Sequence, residues 1–419
     1  MKKIIKRAIS HPLFSSSFIM IIGTNSTNVI NYLYHLLMGR LLGPASYGEL
    51  SAFFSLIGLL SVVPLSFGTV IIKFVASSKN DQEAAAYLKW FTKPVFYMSV
   101  VLALGTAAFS PFLADYLNTP HTLGIILIAV SFLFGLPAYL YRSVLQGLIK
   151  FHLVVIGLIS ETGMKLVAGV LFVMLGFGVM GAMVGLVIAI ITGWLAGFFF
   201  LKHYREIQTT EKVHTKNIFN FTLPVLIQTV AMTSLMTIDL VLVKHFFSSF
   251  EAGIFAAVST LGKIILFASA PVSTVMFPLV AKRYVAGEKY VSMFLLSIGA
   301  TAAVVSGVIL MYFLFPQFVL SLLYGEKYFA GIGLLVPYAL FTGFLALCGL
   351  FINFFLSVNH NKVVIFPLVA AVLQLIGINL FHQTITQVVW VSVSVATLLF
   401  VSLSVYFLAA RISDLSKDN

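Results

Sequence analysis

Charged side chains are scarce in this sequence. They make up 9% of its 419 residues, whereas soluble domains carry about 25%. Hydrophobic residues account for 60% of the chain, its mean hydropathy is +1.06, and no polar stretch is long enough to fold as a soluble domain. A soluble core could not enclose this much apolar surface. The composition therefore predicts an all-α polytopic membrane protein whose solvent is lipid.

Metal-ligating residues and catalytic motifs are equally scarce. The one cysteine, Cys348, lies in an apolar run and excludes an intrachain disulfide, and the nine histidines have no metal-ligand spacing. The chain has no phosphate-binding loop, no H-E-x-x-H motif and no nucleophile elbow. We therefore expect no metal, no cofactor and no enzymatic activity. The net charge of +12 would suggest nucleic acid for a soluble protein, but membrane proteins gather basic residues in cytoplasmic loops, so no nucleic-acid partner is expected.

Long apolar runs are what the sequence has in abundance. We count twelve, each close to the about 20 residues that cross a bilayer as a helix. Their approximate limits are 14–37, 50–72, 94–114, 121–141, 153–175, 179–201, 218–243, 252–278, 290–316, 331–357, 363–382 and 388–409.

The distribution of lysine and arginine supports this layout. With the N-terminus inside, 20 of the 25 basic residues fall in inside segments, and only Arg40, Lys244 and Lys327 fall outside. Lys165 and Lys263 lie within spans. Because basic loops stay on the cytoplasmic side, the pattern predicts the cytoplasmic membrane of a bacterium or archaeon, with both termini cytoplasmic.

The longest polar break, Lys202–Asn217, follows the sixth run. We therefore expect an N-terminal six-helix lobe (1–201), a cytoplasmic linker (202–217) and a C-terminal six-helix lobe (218–419). The two halves are weakly alike, since Ser55–Gly58 compares with Ser259–Gly262. Both halves begin on the cytoplasmic side, as do the parallel repeats of alternating-access transporters.

Glu161 and Lys165 are ionisable residues inside the fifth run, where a buried charge is costly unless it is paired or hydrated. They stand four residues apart and share a helix face. Two interpretations are open. Either the two form a neutral pair that holds the bundle together, or Lys165 lines a polar cavity for substrate.

Asp239 and Lys263 lie in the seventh and eighth runs. Counted from the loop between those runs, Lys263 is about 16 Å deep and Asp239 about 10 Å deep at helical rise, so long side chains could join them. Lys263, beside Gly262, is a candidate for binding an anion near mid-membrane. Asp239 is its counter-ion, a proton or cation site, or a structural group.

Arg40 lies in an outer loop, and Arg142 closes the fourth run. The planar fork of arginine suits phosphate because it binds two oxygens at once. Arg40 contacts either substrate phosphate or lipid headgroups, and Arg142 either lines the cavity or serves only as a cytoplasmic basic residue. Amide side chains that a sugar could use occur in the spans at Asn25, Asn28, Asn31, Gln228, Asn353 and Gln374.

The segment Met38–Glu49 separates the first two runs, and its glycines and proline predict a polar hinge that ends both helices. Its residues Gly39–Glu49 read GRLLGPASYGE, which resembles the "GRLLGPxxYG" signature of the Wzx-type oligosaccharide and polysaccharide flippases. These belong to the multidrug/oligosaccharidyl-lipid/polysaccharide (MOP) exporter superfamily. Weaker matches follow in the same order, and the resemblance covers nearly the whole chain. They are Leu145–Gly147, Leu175–Ala182, Ile238–Val243 and Ala252–Ala257.

The resemblance implies a twelve-helix, two-lobed transporter with a cationic central cavity. It would move undecaprenyl-diphosphate-linked oligosaccharides from the inner to the outer leaflet for cell-surface polysaccharide biosynthesis. The implied partners are the lipid-linked anionic oligosaccharide, membrane lipids, and the glycosyltransferases and glycan polymerase of the same process. Because Lys165 and Lys263 are the only obvious intramembrane cations, Arg40, Lys73 and Arg142 would have to contribute to such a cavity.

The sequence leaves three alternative functions to consider. A drug/cation antiporter of the same superfamily should carry intramembrane carboxylates in the first lobe, where only Glu161 occurs. A membrane glycan polymerase or ligase should carry a large outer catalytic loop, and the outer loops of this chain are short. A scaffold for glycan assembly that transports nothing is also compatible with the sequence.

Overall fold

The computed structural model describes residues 12–415 except 210, 212, 214, 287 and 359, and within them it contains helices, turns and no β-strand. Short turns occupy Val173–Phe177, Glu326–Gly331 and Asn361–Val364. The α-helices are α1 (Pro12–Leu60), α2 (Val62–Ala76), α3 (Asp81–Ala108), α4 (Ser110–Tyr116), α5 (Thr122–Gly147), α6 (Phe151–Phe172), α7 (Gly178–Phe200), α8 (Lys202–Glu206), α9 (Thr215–Phe246), α10 (Ser249–Val285), α11 (Val291–Leu314), α12 (Pro316–Leu323), α13 (Ile332–Ser357), α14 (Ile365–Leu380) and α15 (Ile385–Leu415).

Nine helical stretches of the described chain are long and apolar enough to cross a membrane, and the bent pair α1–α2 makes ten. Two of the ten contain a glycine in a non-helical conformation: Gly43 within α1 (φ 73°) and Gly176 between α6 and α7 (φ 92°). Dividing the stretches at these glycines gives the twelve spans expected from the sequence. The predicted all-α polytopic membrane fold is confirmed.

The hinge predicted over Met38–Glu49 is much shorter in the structure. α1 is helical on both sides of Gly43, whose positive φ ends one stretch, and Pro44 begins the next. Glycine adopts this conformation without strain, and a proline at the first helical position lacks only an N–H that would have no helical partner. The prediction of a polar loop was therefore wrong. A second break lies at Ser61, where α1 and α2 meet at a bend of 53°.

The chain clusters into two compact units. The first contains the described residues up to Leu42 together with Leu56–Thr229, and the second contains Gly43–Ser55 together with the described residues from Val230 onwards. α1 therefore contributes to both units. The sequence did not predict the position of Gly43–Ser55, because hydropathy does not reveal which neighbours a helix packs against.

In the first unit, α6 and α7 form a tight hairpin around the turn Val173–Phe177. Gly178, like Gly176, has a positive φ, which confirms the predicted turn between the fifth and sixth runs. A Cβ atom on Gly185 of α7 would lie 2.5 Å from the backbone of Gly169 of α6. Small residues allow such approach between membrane helices, so these glycines set how closely α6 and α7 pack.

In the second unit, the segment that follows Gly43 packs against the start of α10. A Cβ atom on Gly48 would lie 2.5 Å from the backbone nitrogen of Gly253, and one on Gly253 would overlap the carbonyl group of Pro44. Tyr47 is fully buried beside this crossing, with its hydroxyl 3.1 Å from that of Thr260. The second half of the GRLLGPASYGE motif is thus a helix-packing contact.

Two charged residues are buried at the same crossing. Lys244 of α9 is fully buried and donates a hydrogen bond of 2.9 Å to Ser249, and the buried Glu49 carboxylate is its charged neighbour. A capping box between Ser248 and Glu251 fixes the start of α10 just beyond. Lys244, which the sequence placed among the outer basic residues, is therefore part of the packing of the second unit.

The substitution Gly253→Ala is expected to destabilise the protein strongly, because its methyl group would overlap the Pro44 backbone and overpacking costs about 1–3 kcal/mol or more. The measurement is the thermal unfolding temperature of the purified protein in detergent. Gly105→Ala in α3 is the matched control, since a Cβ there meets nothing within 4 Å. Equal unfolding temperatures for the two variants would contradict the close crossing.

Candidate functional site

An ion pair joins α5 to α6 inside the first unit. Arg142 lies within α5, because that helix runs to Gly147 and does not end near residue 141 as predicted. Its guanidinium binds the carboxylate of Glu161, and the two side chains are 26% and 22% exposed. Gly193 of α7 leaves space for the carboxylate, since a Cβ there would lie 2.5 Å from Glu161 Oε2. Three helices thus build this pair.

Lys165 lies one turn beyond Glu161 and has other partners. Its ammonium donates to Asn31 of α1 and lies 4.6 Å from the centre of the Tyr34 ring. In the described chain no direct ion pair joins Lys165 to Glu161, although the carboxylate remains a charged neighbour. Of the two interpretations left open by the sequence, the one with a Glu161–Lys165 ion pair does not hold, because Glu161 binds Arg142.

A cavity of about 150 Å³ opens beside the Arg142–Glu161 pair. Arg142, Glu161 and Tyr139 form its polar part, and Ser61, at the bend between α1 and α2, forms part of the opposite wall. A much smaller cavity of about 10 Å³ lies on the other side of the pair, next to Gly193. In the first unit, the ion pair of Arg142 and Glu161 therefore lines a cavity, and its two charges neutralise each other.

Asp239 of α9 is the centre of a hydrogen-bond network in the second unit. The carboxylate is fully buried and accepts a hydrogen bond of 2.8 Å from the Tyr338 hydroxyl and one of 2.8 Å from the backbone N–H of Leu240. The Tyr338 hydroxyl also lies 2.9 Å from Ser259 Oγ on α10. Gly262 makes room for the ring, because a Cβ there would overlap it.

Lys263 follows Ser259 by one helical turn on α10 and is half-buried. Its nearest charged neighbour in this network is Asp239. The two side chains were expected to reach each other, but among the described residues no direct ion pair or hydrogen bond joins them. Within that part of the chain the Lys263 ammonium has no hydrogen-bond acceptor, so its donors are available to a ligand.

The remaining candidates are more dispersed. Arg40 lies in α1, is exposed, and is not among the residues that line the cavities described above. Asn353 donates to Ser273 at 2.7 Å, and the fully buried Gln374 donates to Ser392 at 3.1 Å. These two amides, which the sequence offered as sugar partners, are engaged by the protein itself. No group of three or more His, Cys, Asp or Glu side chains that could hold a metal ion occurs among the residues that the structure describes.

A profile of the family described as polysaccharide biosynthesis protein matches residues 37–332, which is more than half of the chain. The chain belongs to this polysaccharide biosynthesis family. An uncharacterized membrane protein of Methanocaldococcus jannaschii is 26% identical over a region that covers 60% of this chain and 63% of that protein. This member of the family thus matches less than two thirds of that relative's length.

Three solved structures share its fold. An inward-facing multidrug resistance MATE transporter of the MOP superfamily matches with a TM-score of 0.78 at 16% identity, over 93% of this chain and 96% of the other. The lipid II flippase MurJ in an inward closed conformation matches with 0.73 at 13% identity, over 94% and 87%. A MOP transporter from Pyrococcus furiosus, reported with a binding pocket of reversed polarity, matches with 0.60 at 16% identity, over 94% and 95%.

Identities this low establish the fold and nothing finer. The protein is a multi-pass integral membrane protein with the twelve-helix, two-lobe fold of the MOP superfamily. The family resemblance drawn from the Gly39–Glu49 motif is confirmed by the family profile and by the fold.

Tyr338→Phe is expected to lower the thermal unfolding temperature in detergent, because it leaves the buried Asp239 carboxylate without its side-chain donor. Hydrogen bonds to charged groups contribute about 1.5–3 kcal/mol. Tyr406→Phe is the matched control, since among the described residues that hydroxyl makes a single long contact, of 3.5 Å with His360. If both variants unfold like the parent protein, the Tyr338–Asp239 bond does not stabilise the second unit.

Proposed function

We propose that this protein flips an undecaprenyl-diphosphate-linked oligosaccharide from the inner to the outer leaflet of the cytoplasmic membrane by alternating access. Its family supports a role in polysaccharide biosynthesis. Its fold is shared by a protein named as a lipid II flippase, which makes a lipid-linked substrate reasonable. The proposal includes both termini on the cytoplasmic side, as the lysine and arginine distribution predicts.

The main support for the proposal is that, among the candidate residues, the carboxylates already have partners whereas the Lys263 ammonium has no acceptor in the described part of the chain. Asp239 accepts two hydrogen bonds and Glu161 is bound by Arg142, so both carboxylates are engaged. Lys263 has no acceptor among the described residues and keeps its donors for a ligand. A cation away from bulk water suits a diphosphate, because charge-assisted hydrogen bonds to phosphate are among the strongest in proteins.

The membrane potential could drive outward movement of an anionic substrate. An inside-negative potential favours outward movement of an anion by about 2.3 kcal/mol per elementary charge per 100 mV. The sequence has no motif for ATP hydrolysis, and export driven by the potential needs none. The partners of this process would be membrane lipids, the glycosyltransferases that build the lipid-linked glycan and the polymerase that consumes it.

A drug/cation antiporter is the second candidate, because a multidrug transporter shares the fold. Exchange of an organic cation requires a carboxylate that is free to bind it. Glu161 is held by Arg142 and Asp239 by Tyr338, which favours the anionic substrate. A membrane polymerase or ligase remains less attractive because the outer loops are short and the family and fold relatives include named transporters and a flippase.

Lys263→Ala is expected to lower the rate at which reconstituted vesicles flip a fluorescent undecaprenyl-diphosphate oligosaccharide by about tenfold or more, since a charged hydrogen bond contributes about 1.5–3 kcal/mol. Lys263→Arg should retain much of the rate because the cation is kept. The rate is measured by quenching of the label in the outer leaflet.

Lys289→Ala is the matched control, because Lys289 is an exposed lysine just before α11. It should flip the substrate at the parental rate. An unchanged rate for Lys263→Ala would remove Lys263 from the site. Transport of ethidium by the parent protein, without flipping of the lipid, would favour the antiporter.

A further inference from the structure

The cavity beside the Arg142–Glu161 pair is lined by a mutually neutralised ion pair, whereas Lys263 offers a positive charge. We propose that this cavity is a sub-site for an uncharged sugar residue of the transported glycan. The inference rests on the proposed function and assigns the recognition of the glycan to residues of the first unit.

The cavity has room for a polar ligand larger than a single water molecule. A water molecule needs roughly 10–15 Å³ by this measure, and the cavity offers about 150 Å³, so it has room for several waters. Arg142 and Glu161 line this space, and their side chains are 26% and 22% exposed. A polar ligand can therefore reach both groups.

The ion pair leaves hydrogen-bonding capacity unused. Arg142 and Glu161 meet through one guanidinium nitrogen, Nη2, and one carboxylate oxygen, Oε2. A guanidinium has five N–H donors and a carboxylate about four acceptor positions, and the described residues contribute no further partner to either group. A sugar hydroxyl both donates and accepts, so neighbouring hydroxyls can accept from Arg142 and donate to Glu161.

The lack of net charge on the Arg142–Glu161 pair favours an uncharged ligand. Arg142 and Glu161 together have no net charge, and the other residues that line the cavity are apolar, hydroxyl-bearing or glycine. A phosphate group bound to Arg142 would meet the Glu161 carboxylate, and an ammonium group bound to Glu161 would meet the guanidinium. An uncharged polyol avoids both repulsions, because it can satisfy the two groups at once.

The walls of the cavity are already held in place. The Tyr139 hydroxyl donates to the carbonyl of Leu65 at 3.3 Å, and its ring occupies the space that Gly68 leaves open. The Ser131 hydroxyl donates to the carbonyl of Ile128 at 2.7 Å. A cavity whose lining side chains are fixed loses little conformational freedom on binding, so weak hydrogen bonds to hydroxyls suffice to orient a sugar.

Two substitutions test the assignment by different means. Glu161→Gln removes the charged acceptor and should weaken binding of a neutral sugar by about tenfold. Gly135 lines the cavity, and a Cβ there meets Ile190 at an ordinary contact distance of 3.6 Å, so Gly135→Leu should narrow the cavity while both members of the ion pair are kept. It should weaken binding to a similar extent. Gly105→Leu, where a Cβ meets nothing within 4 Å, is the matched control and should bind like the parent protein.

Binding is measured by thermophoresis of the purified full-length protein in detergent, after circular dichroism has shown that each variant is folded. The probes are a panel of labelled neutral oligosaccharides built from glucose, galactose, mannose and N-acetylglucosamine, and undecaprenyl diphosphate without sugar. We expect Glu161→Gln and Gly135→Leu to bind the neutral sugars about tenfold more weakly than the parent protein does, and to bind undecaprenyl diphosphate as the parent protein does. Lys263→Ala should show the opposite pattern.

Each other result has a distinct meaning. If the parent protein binds undecaprenyl diphosphate but no neutral sugar, the sugar sub-site is overturned while the proposed function stands. The sub-site is also overturned if the neutral sugars bind equally well to the parent protein and to Gly135→Leu. If the parent protein binds neither probe, the proposed function and the sub-site fail together.

Discussion

A charge in apolar surroundings must find a partner, and this constraint arranges the interior of both units. Arg142 binds Glu161 across α5 and α6, and the Asp239 carboxylate of α9 is bound by Tyr338 of α13. Removing one partner would leave the other group's charge without compensation, which is costly in apolar surroundings. Lys263 differs, because among the described residues its ammonium has Asp239 as a charged neighbour but no hydrogen-bond acceptor.

Glycine residues also determine where the buried polar and charged side chains lie. Helices in lipid gain little from hydrophobic attraction to each other, so close van der Waals contact and polar contacts hold them together. Gly193 makes space for the Glu161 carboxylate, and Gly262 makes space for the Tyr338 ring that binds Asp239. Gly48 and Gly253 permit the helix crossing next to the buried Lys244. In each case the missing side chain of one helix admits a charged group, its partner or a neighbouring backbone.

The candidate residues lie in two different chemical environments, one in each unit. The second unit offers the ammonium of Lys263 near a satisfied carboxylate, which suits a phosphate oxygen. The first unit offers a neutral pair with unused donors and acceptors beside a cavity, which suits hydroxyl groups.

The sequence by itself determined the solvent, the helical class, the number of spans and the family, because hydropathy, lysine and arginine placement and the Gly39–Glu49 motif are properties of the chain read in order. It also identified Lys263 as an intramembrane cation. Only the tertiary structure decided that Arg142 binds Glu161 and that Tyr338 binds Asp239. The reason is geometric: hydropathy predicts where a helix crosses the membrane, whereas the partners of a charge depend on where the helix ends, how it is rotated and which glycine lets its neighbour approach.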